Sequence, residues 1–346
     1  MSIKAERGLP VSVLDLVGMR ANEPAAKAIK RAVELAQQAE KWGYRRFWLA
    51  EHHSIAGLAC SATAVLIGHV ASATHTIRVG SGGMMLPNHA PLVVAEQFGT
   101  LDAMYPGRID LGLGRAPGSD GYTMRALRRD LGQTGDDFPE LLEELRAYLG
   151  PARLGQVVHA YPGQGSRVPV TLLGSSTFSA QLAAKLGLPF AFAAHFAPDA
   201  LFAAAQLYRT QFRPSAELAA PHLMVAAQVI AAETDAAAQR LFTTPLQRFL
   251  RLIRNQPVEL LPPVETMAGL WTPGERAAVE SRLGAAIVGS NQTVKTAFER
   301  LVQQTGADEL IVVTDTYEPA DRIDSYGRVA AIAHLIEMEK MRSLVS

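Results

Sequence analysis

Cysteine is almost absent from this chain. Cys60 is the single thiol, so no disulfide can form within it, and a reducing compartment is the natural expectation. An excess of charge of either sign is missing too. The 33 basic and 33 acidic residues cancel to a formal net charge of zero, whereas a nucleic-acid or anionic-membrane partner would favour a basic surplus; neither is expected. No apolar run approaches the roughly 18 residues that a membrane span requires. The opening MSIKAERGLP is charged and short of an apolar core, so no signal peptide is expected there. HExxH and His-x-His are both lacking, and no metal site is expected. Nor does a fixed-period repeat or a low-complexity linker divide the chain, so residues 1–346 are read as one domain of a soluble, cytoplasmic enzyme.

What is present is a β/α alternation. Val11 to Val17 reads as a strand interrupted by Asp15, and Pro24 to Trp42 as an amphipathic helix closed by Gly43. Arg46 to Ala50 is a second strand and Ser61 to Ala73 a second helix. The central stretch runs from Thr76 to Gly118. There Ile77 to Gly80 is a strand stopping at glycines, Pro91 opens a helix that Pro106-Gly107 ends, and Arg108 to Leu113 is a strand that delivers Arg115 just past its end. Further strands are expected at Val168–Gly174, near Phe190–Ala194, at His222–Ile230 and at Glu309–Thr314. About eight strand–helix pairs result, the number at which a (β/α)8 TIM barrel closes. An open doubly wound sheet is the structural alternative. Two polar or Pro-rich stretches, at about 119–135 and 250–288, read as excursions from the barrel, the second as a candidate lid carrying Trp271.

Ligands bind at the carboxyl ends of the strands in both architectures. At that rim Gly82 and Gly83 allow a flat ring to approach the backbone, or form a plain turn. Arg115 pairs with a phosphate or with a rim carboxylate. Gly174, Ser175, Ser176 and Ser179 frame a predicted helix start, which is an anion site or ordinary capping. Leu14, Met84 and Met85 are candidates for an apolar bed, with core packing the competing reading for Leu14 and Met85. Glu51-His52-His53 follows the second strand, and adjacent extended residues point to opposite sides, so the two histidines are not expected to share a metal.

GSGGMMLPNHAPLVVAEQ, GRIDLGLGRAPG and EHHS together resemble the bacterial luciferase-like flavin monooxygenases. The resemblance implies a TIM barrel that binds reduced FMN as co-substrate and uses O2 to oxygenate a small organic substrate. It implies proton transfer at His52, with a near-neutral pKa suiting that role, and Glu51 either positioning His52 or held in an internal ion pair. A cis peptide at Gly82-Gly83 under the ring is a further implication, as is a flavin phosphate held by Arg115 with the Gly174–Ser179 segment. A separate flavin reductase as FMNH2 donor and a homodimer are implied as well. Two alternatives stand: a coenzyme F420-dependent oxidoreductase of the same fold, and a non-catalytic FMN-binding protein.

Overall fold

A computed structural model describes residues 9–116, 121–127 and 135–345. Its strands are β1 (Val11–Asp15), β2 (Arg46–Leu49), β3 (Arg78–Met85), β4 (Ile109–Gly114), β5 (Val170–Gly174), β6 (Phe190–Ala193), β7 (Leu223–Ala232), β8 (Ile287–Ser290) and β9 (Glu309–Val313). The helices are α1 (Ala25–Lys41), α2 (Thr63–Ser72), α3 (Pro91–Met104), α4 (Gly121–Ala126), α5 (Phe138–Leu149), α6 (Thr177–Leu186), α7 (Leu201–Gln211), α8 (Asp235–Ile253), α9 (Pro273–Arg282), α10 (Asn291–Thr305) and α11 (Pro319–Val345). All sheet pairings are parallel. β1 to β7 follow one another, and β9 pairs with both β7 and β1 to close an eight-stranded (β/α) barrel. The open-sheet alternative is thereby excluded.

Local chemistry explains most element ends. Gly43, at φ +79°, takes the left-handed position that closes α1, and Pro91 occupies the first turn of α3. Asp15, which interrupts an apolar strand in the sequence, is fully buried and forms an ion pair with Arg322 of α11 at 2.9 Å. It therefore ties β1 to the last helix. One expectation needs correction. β3 does not stop at Gly80: it continues through Gly82 and Gly83 to Met85, with a register shift against β4 between Ser81 and Met84. The 250–288 stretch is largely the helical excursion expected. α8 extends into it as far as Ile253, α9 follows, and β8 adds to the far end of β7. Of the 119–135 stretch only α4 and residue 127 at its exit, and residue 135, lie within the described residues.

The two ends of the barrel differ in chemistry. Near the amino ends of the strands, Arg46 donates to Glu309 at 2.7 Å and to Asp110 at 2.8 Å, while Arg78 reaches Asp110 at 2.6 Å. Each side chain comes from a different strand, so the network stitches the floor of the barrel. Breaking such a buried pair by removing one partner costs about 3–5 kcal/mol. The open space lies at the other end, where the strands finish.

Candidate active site

A cavity of about 330 Å³ opens at the carboxyl ends of the barrel strands. Its wall holds His52, Gly82, Gly83, Arg115, Gly174, Ser175, Ser176, Ser179, Leu14 and Glu51 of the expected site, and also Met85. Met84 does not belong to that wall. Along β3 successive side chains alternate in direction, and Met84 turns into the core with 3% of its surface exposed, leaving Met85 on the cavity side.

The Gly82-Gly83 peptide is cis. A side chain on Gly82 would come within 2.8 Å of Leu14 and 3.0 Å of Trp48, so only glycine lets β3 lie flat against these two residues. Trp48 is held from below by its indole N–H, which donates to Asp110 of the floor network at 3.1 Å. Leu14, Trp48 and the Gly82-Gly83 step thus form a smooth, largely apolar surface. Further along the rim, Arg115 follows β4 directly, and its guanidinium lies 4.3 Å over the ring of Phe178 in α6. Ser176 caps α6 in extended conformation without a side-chain capping bond. Ser175, Ser176 and Ser179, at the start of α6, line the cavity together with Arg115. That donor set fits a phosphate, and the flat surface beside it fits a fused planar ring.

Glu51 and the two histidines after it divide the work. The buried Glu51 carboxylate accepts from His53 Nε2 at 2.7 Å, from His89 Nε2 at 2.8 Å and from the Met85 N–H at 2.9 Å. Burial by itself would raise its pKa, but the hydrogen bonds from His89, Met85 and His53 hold it below the ordinary carboxylate value. Of the two roles open to Glu51, the internal one is made: it fixes the loop after β2 to the end of β3, and its hydrogen bonds go to His53 and His89. The ligand atoms of Glu51, His53 and His89 lie within 4.8 Å of one another, joined here by the hydrogen bonds to the carboxylate. His52 points the other way, onto the cavity. Its buried Nδ1 has no partner among the described residues. Burial first, and then the charge of Arg248, lower its pKa to about 4. The near-neutral value expected of it is therefore corrected to a neutral imidazole at pH 7.

Several wall residues escaped the sequence reading. His195 follows β6, and its Nδ1 is also without a partner among the described residues; burial and the neighbouring His52 lower its pKa to about 3. Gln228 lies on β7, Asp315 just past β9, and Arg248 on α8. A polar residue inside the apolar run LMVAAQVIAA, and Asp315 immediately after a strand, were the available signals. Trp271 is placed elsewhere: it packs with Leu250, Met267, Val279 and Leu283 in a satellite core, away from the cavity wall.

The parallel eight-stranded barrel thus brings a flat glycine step, a rim arginine beside a helix start and, past the neighbouring strand β2, a buried histidine to one cavity. The family model of luciferase-like monooxygenases matches residues 10–309, and the chain belongs to that family. It is 53% identical over 333 residues to the uncharacterised protein YvbT of Bacillus subtilis, covering 96% of this chain and 99% of that one. To a luciferase-like monooxygenase of Escherichia coli it is 47% identical over 321 residues, 93% of this chain and 96% of the relative. Among solved structures, apo-MsnO8 superposes with a TM-score of 0.88 at 37% identity, covering 94% and 99% of the two chains. Two more distant structures share the fold: the oxygenating constituent of 3,6-diketocamphane monooxygenase from Pseudomonas putida with FMN (TM-score 0.70, 19% identity, 93% of this chain and 97% of that one), and an F420-dependent secondary alcohol dehydrogenase with an F420-acetone adduct (0.69, 15%, 94% and 99%). Among the described residues no helix is long and apolar enough to cross a membrane.

Proposed function

We propose that this protein is an FMN-dependent monooxygenase that receives reduced FMN from a separate reductase and transfers one oxygen atom of O2 to a small organic substrate. The observation that carries this reading is the sharing of one cavity wall by the Gly82-Gly83 step, the Arg115–α6 donor set and His52. Arg115, Ser175, Ser176 and Ser179 would hold the phosphate, and Leu14, Trp48, Gly82 and Gly83 would support the ring. When bound, reduced FMN supplies the electrons and the reaction with O2. The chain's own part is positional and protonic. The apolar wall would exclude water, Glu51 anchors the loop, and the neutral His52 imidazole can take up a proton beside the ring and return it. Met85 joins the apolar bed in place of Met84.

In the sequence no Gly-rich turn beyond GLGRAPG follows a strand with a basic neighbour, which supports a separate donor of reduced FMN. The test is to mix protein, FMN and NADH or NADPH anaerobically and follow flavin absorbance. The expected result is no bleaching until a flavin reductase is added, and O2-dependent turnover afterwards. Rapid bleaching by the protein alone would refute the separate donor. Loss of bound FMN's reactivity with O2 would favour a storage protein instead. A homodimer in the cytoplasm remains part of the proposal, with mass measurement in solution as its check.

A further inference from the structure

Gln228 is 1% exposed and Arg248 5%, yet both belong to the cavity wall. Gln228 Nε2 hydrogen-bonds to no acceptor among the described residues. Arg248 Nη1 is held in a close ion pair, 2.7 Å from Asp315 Oδ2, without a well-aligned hydrogen bond of its own among the described residues. The two donors share one sector of the rim. Gln228 is in register with Val313 of β9, and Asp315 lies two residues further along the same chain. Around them the wall is apolar, with Phe249 and Leu252 from α8, Leu58, Val258 and Val313. Leaving a buried donor without an acceptor is costly, and such groups in a cavity are ordinarily met by the ligand that fills it. This sector also lies across the barrel from the phosphate donors: β9 is four strands from β4 in either direction around the closed sheet. A ring anchored at Arg115 and resting on β3 leaves it to a second molecule.

We propose that Gln228 and Arg248 form a subsite that receives a carbonyl-type oxygen, of a carboxylate or an amide, on a small and otherwise apolar substrate. The subsite rests on the reading of the cavity as a flavin and substrate pocket, and names the substrate class. Three probes of similar size separate the cases: hexanoate, hexanamide and dipropyl sulfide, titrated by calorimetry into the FMN-loaded protein. Hexanoate or hexanamide should bind at least about tenfold more tightly than dipropyl sulfide. A preference for hexanoate identifies a carboxylate and the charge of Arg248; a preference for hexanamide identifies a neutral carbonyl. Gln228→Met, nearly isosteric and uncharged, should erase most of that margin while leaving dipropyl sulfide binding unchanged. Arg248→Met strands Asp315 and is the harsher variant, so Gln228→Met decides the matter. Equal binding of all three probes by the parent, or a Gln228→Met defect confined to FMN affinity, would overturn the subsite. Probe discrimination in a protein that binds no FMN would uphold the subsite and refute the cofactor assignment instead.

Discussion

Replacing Arg115 with alanine isolates the phosphate half of the site. Its guanidinium stands past the end of β4, stacked on Phe178, and offers a phosphate up to two parallel charge-assisted hydrogen bonds. Such bonds contribute about 1.5–3 kcal/mol each. The α6 N–H groups and the hydroxyls of Ser175, Ser176 and Ser179 remain in the variant, so the loss is nearer one bond than two. At 1.4 kcal/mol per decade this predicts FMN binding weakened roughly ten- to a hundred-fold. Riboflavin has the same ring and no phosphate, and its affinity should change less than about threefold. Quenching of flavin fluorescence on titration reads both constants. Because Arg115 is at the rim and outside the floor network, thermal unfolding of the variant should match the parent. Unchanged FMN affinity, or equal losses for FMN and riboflavin, would refute the placement of the phosphate.

Two further outcomes follow from the buried groups. His52→Ala should keep FMN affinity but lose oxygenation by about 10²–10⁴-fold, the range for a general acid–base residue; and since the ring is held neutral down to about pH 4, the parent's rate should show no inflection near 6.5 from this group. A variant as active as the parent would reduce His52 to a wall residue. For the floor, burial works to raise the Glu309 pKa, but Arg46, His222 and Ser12 hold it at about 2, below its ordinary 4.5. The network's stabilisation is therefore complete above pH 4.5 and lost as pH falls from there towards 2, a difference of roughly 3 kcal/mol. Urea unfolding between pH 3 and 7 should show a shallower acid loss in Glu309→Gln than in the parent, and identical slopes would contradict it.

The barrel was legible because its signals are local. β-branched runs, Pro91 at a helix start, Gly43 past a helix end and Arg115 past a strand end each act within a few residues, and all four fall where the pattern places them. Gly82 and Gly83 misled the strand boundary. Glycine usually weakens a strand, but here the close packing on Leu14 and Trp48 carries β3 through it. The proposed phosphate donors could be picked out for the same local reason, since Gly174–Ser179 is one short stretch from the end of β5 into the first turn of α6. The opposite wall was not. Gln228, Asp315, Arg248 and His195 come from four separate segments that only barrel closure brings together, and the pairing of Arg248 with Asp315 spans 67 positions, as residues 248 and 315 show. Glu51 illustrates a finer limit. Its place in EHHS suggests a partner for the next residue, yet the extended chain turns it towards His53 and, across the loop, His89.

The central claim is that the planar ligand of this cavity is FMN. Parallel titrations of the purified protein with FMN and with coenzyme F420 test it most directly. On the FMN reading, the proposed phosphate site at Arg115 and the start of α6, with the flat Gly82-Gly83 step, predicts micromolar or tighter binding of FMN, with F420 at least about tenfold weaker. Tighter binding of F420, or no saturable binding of FMN, would contradict the account.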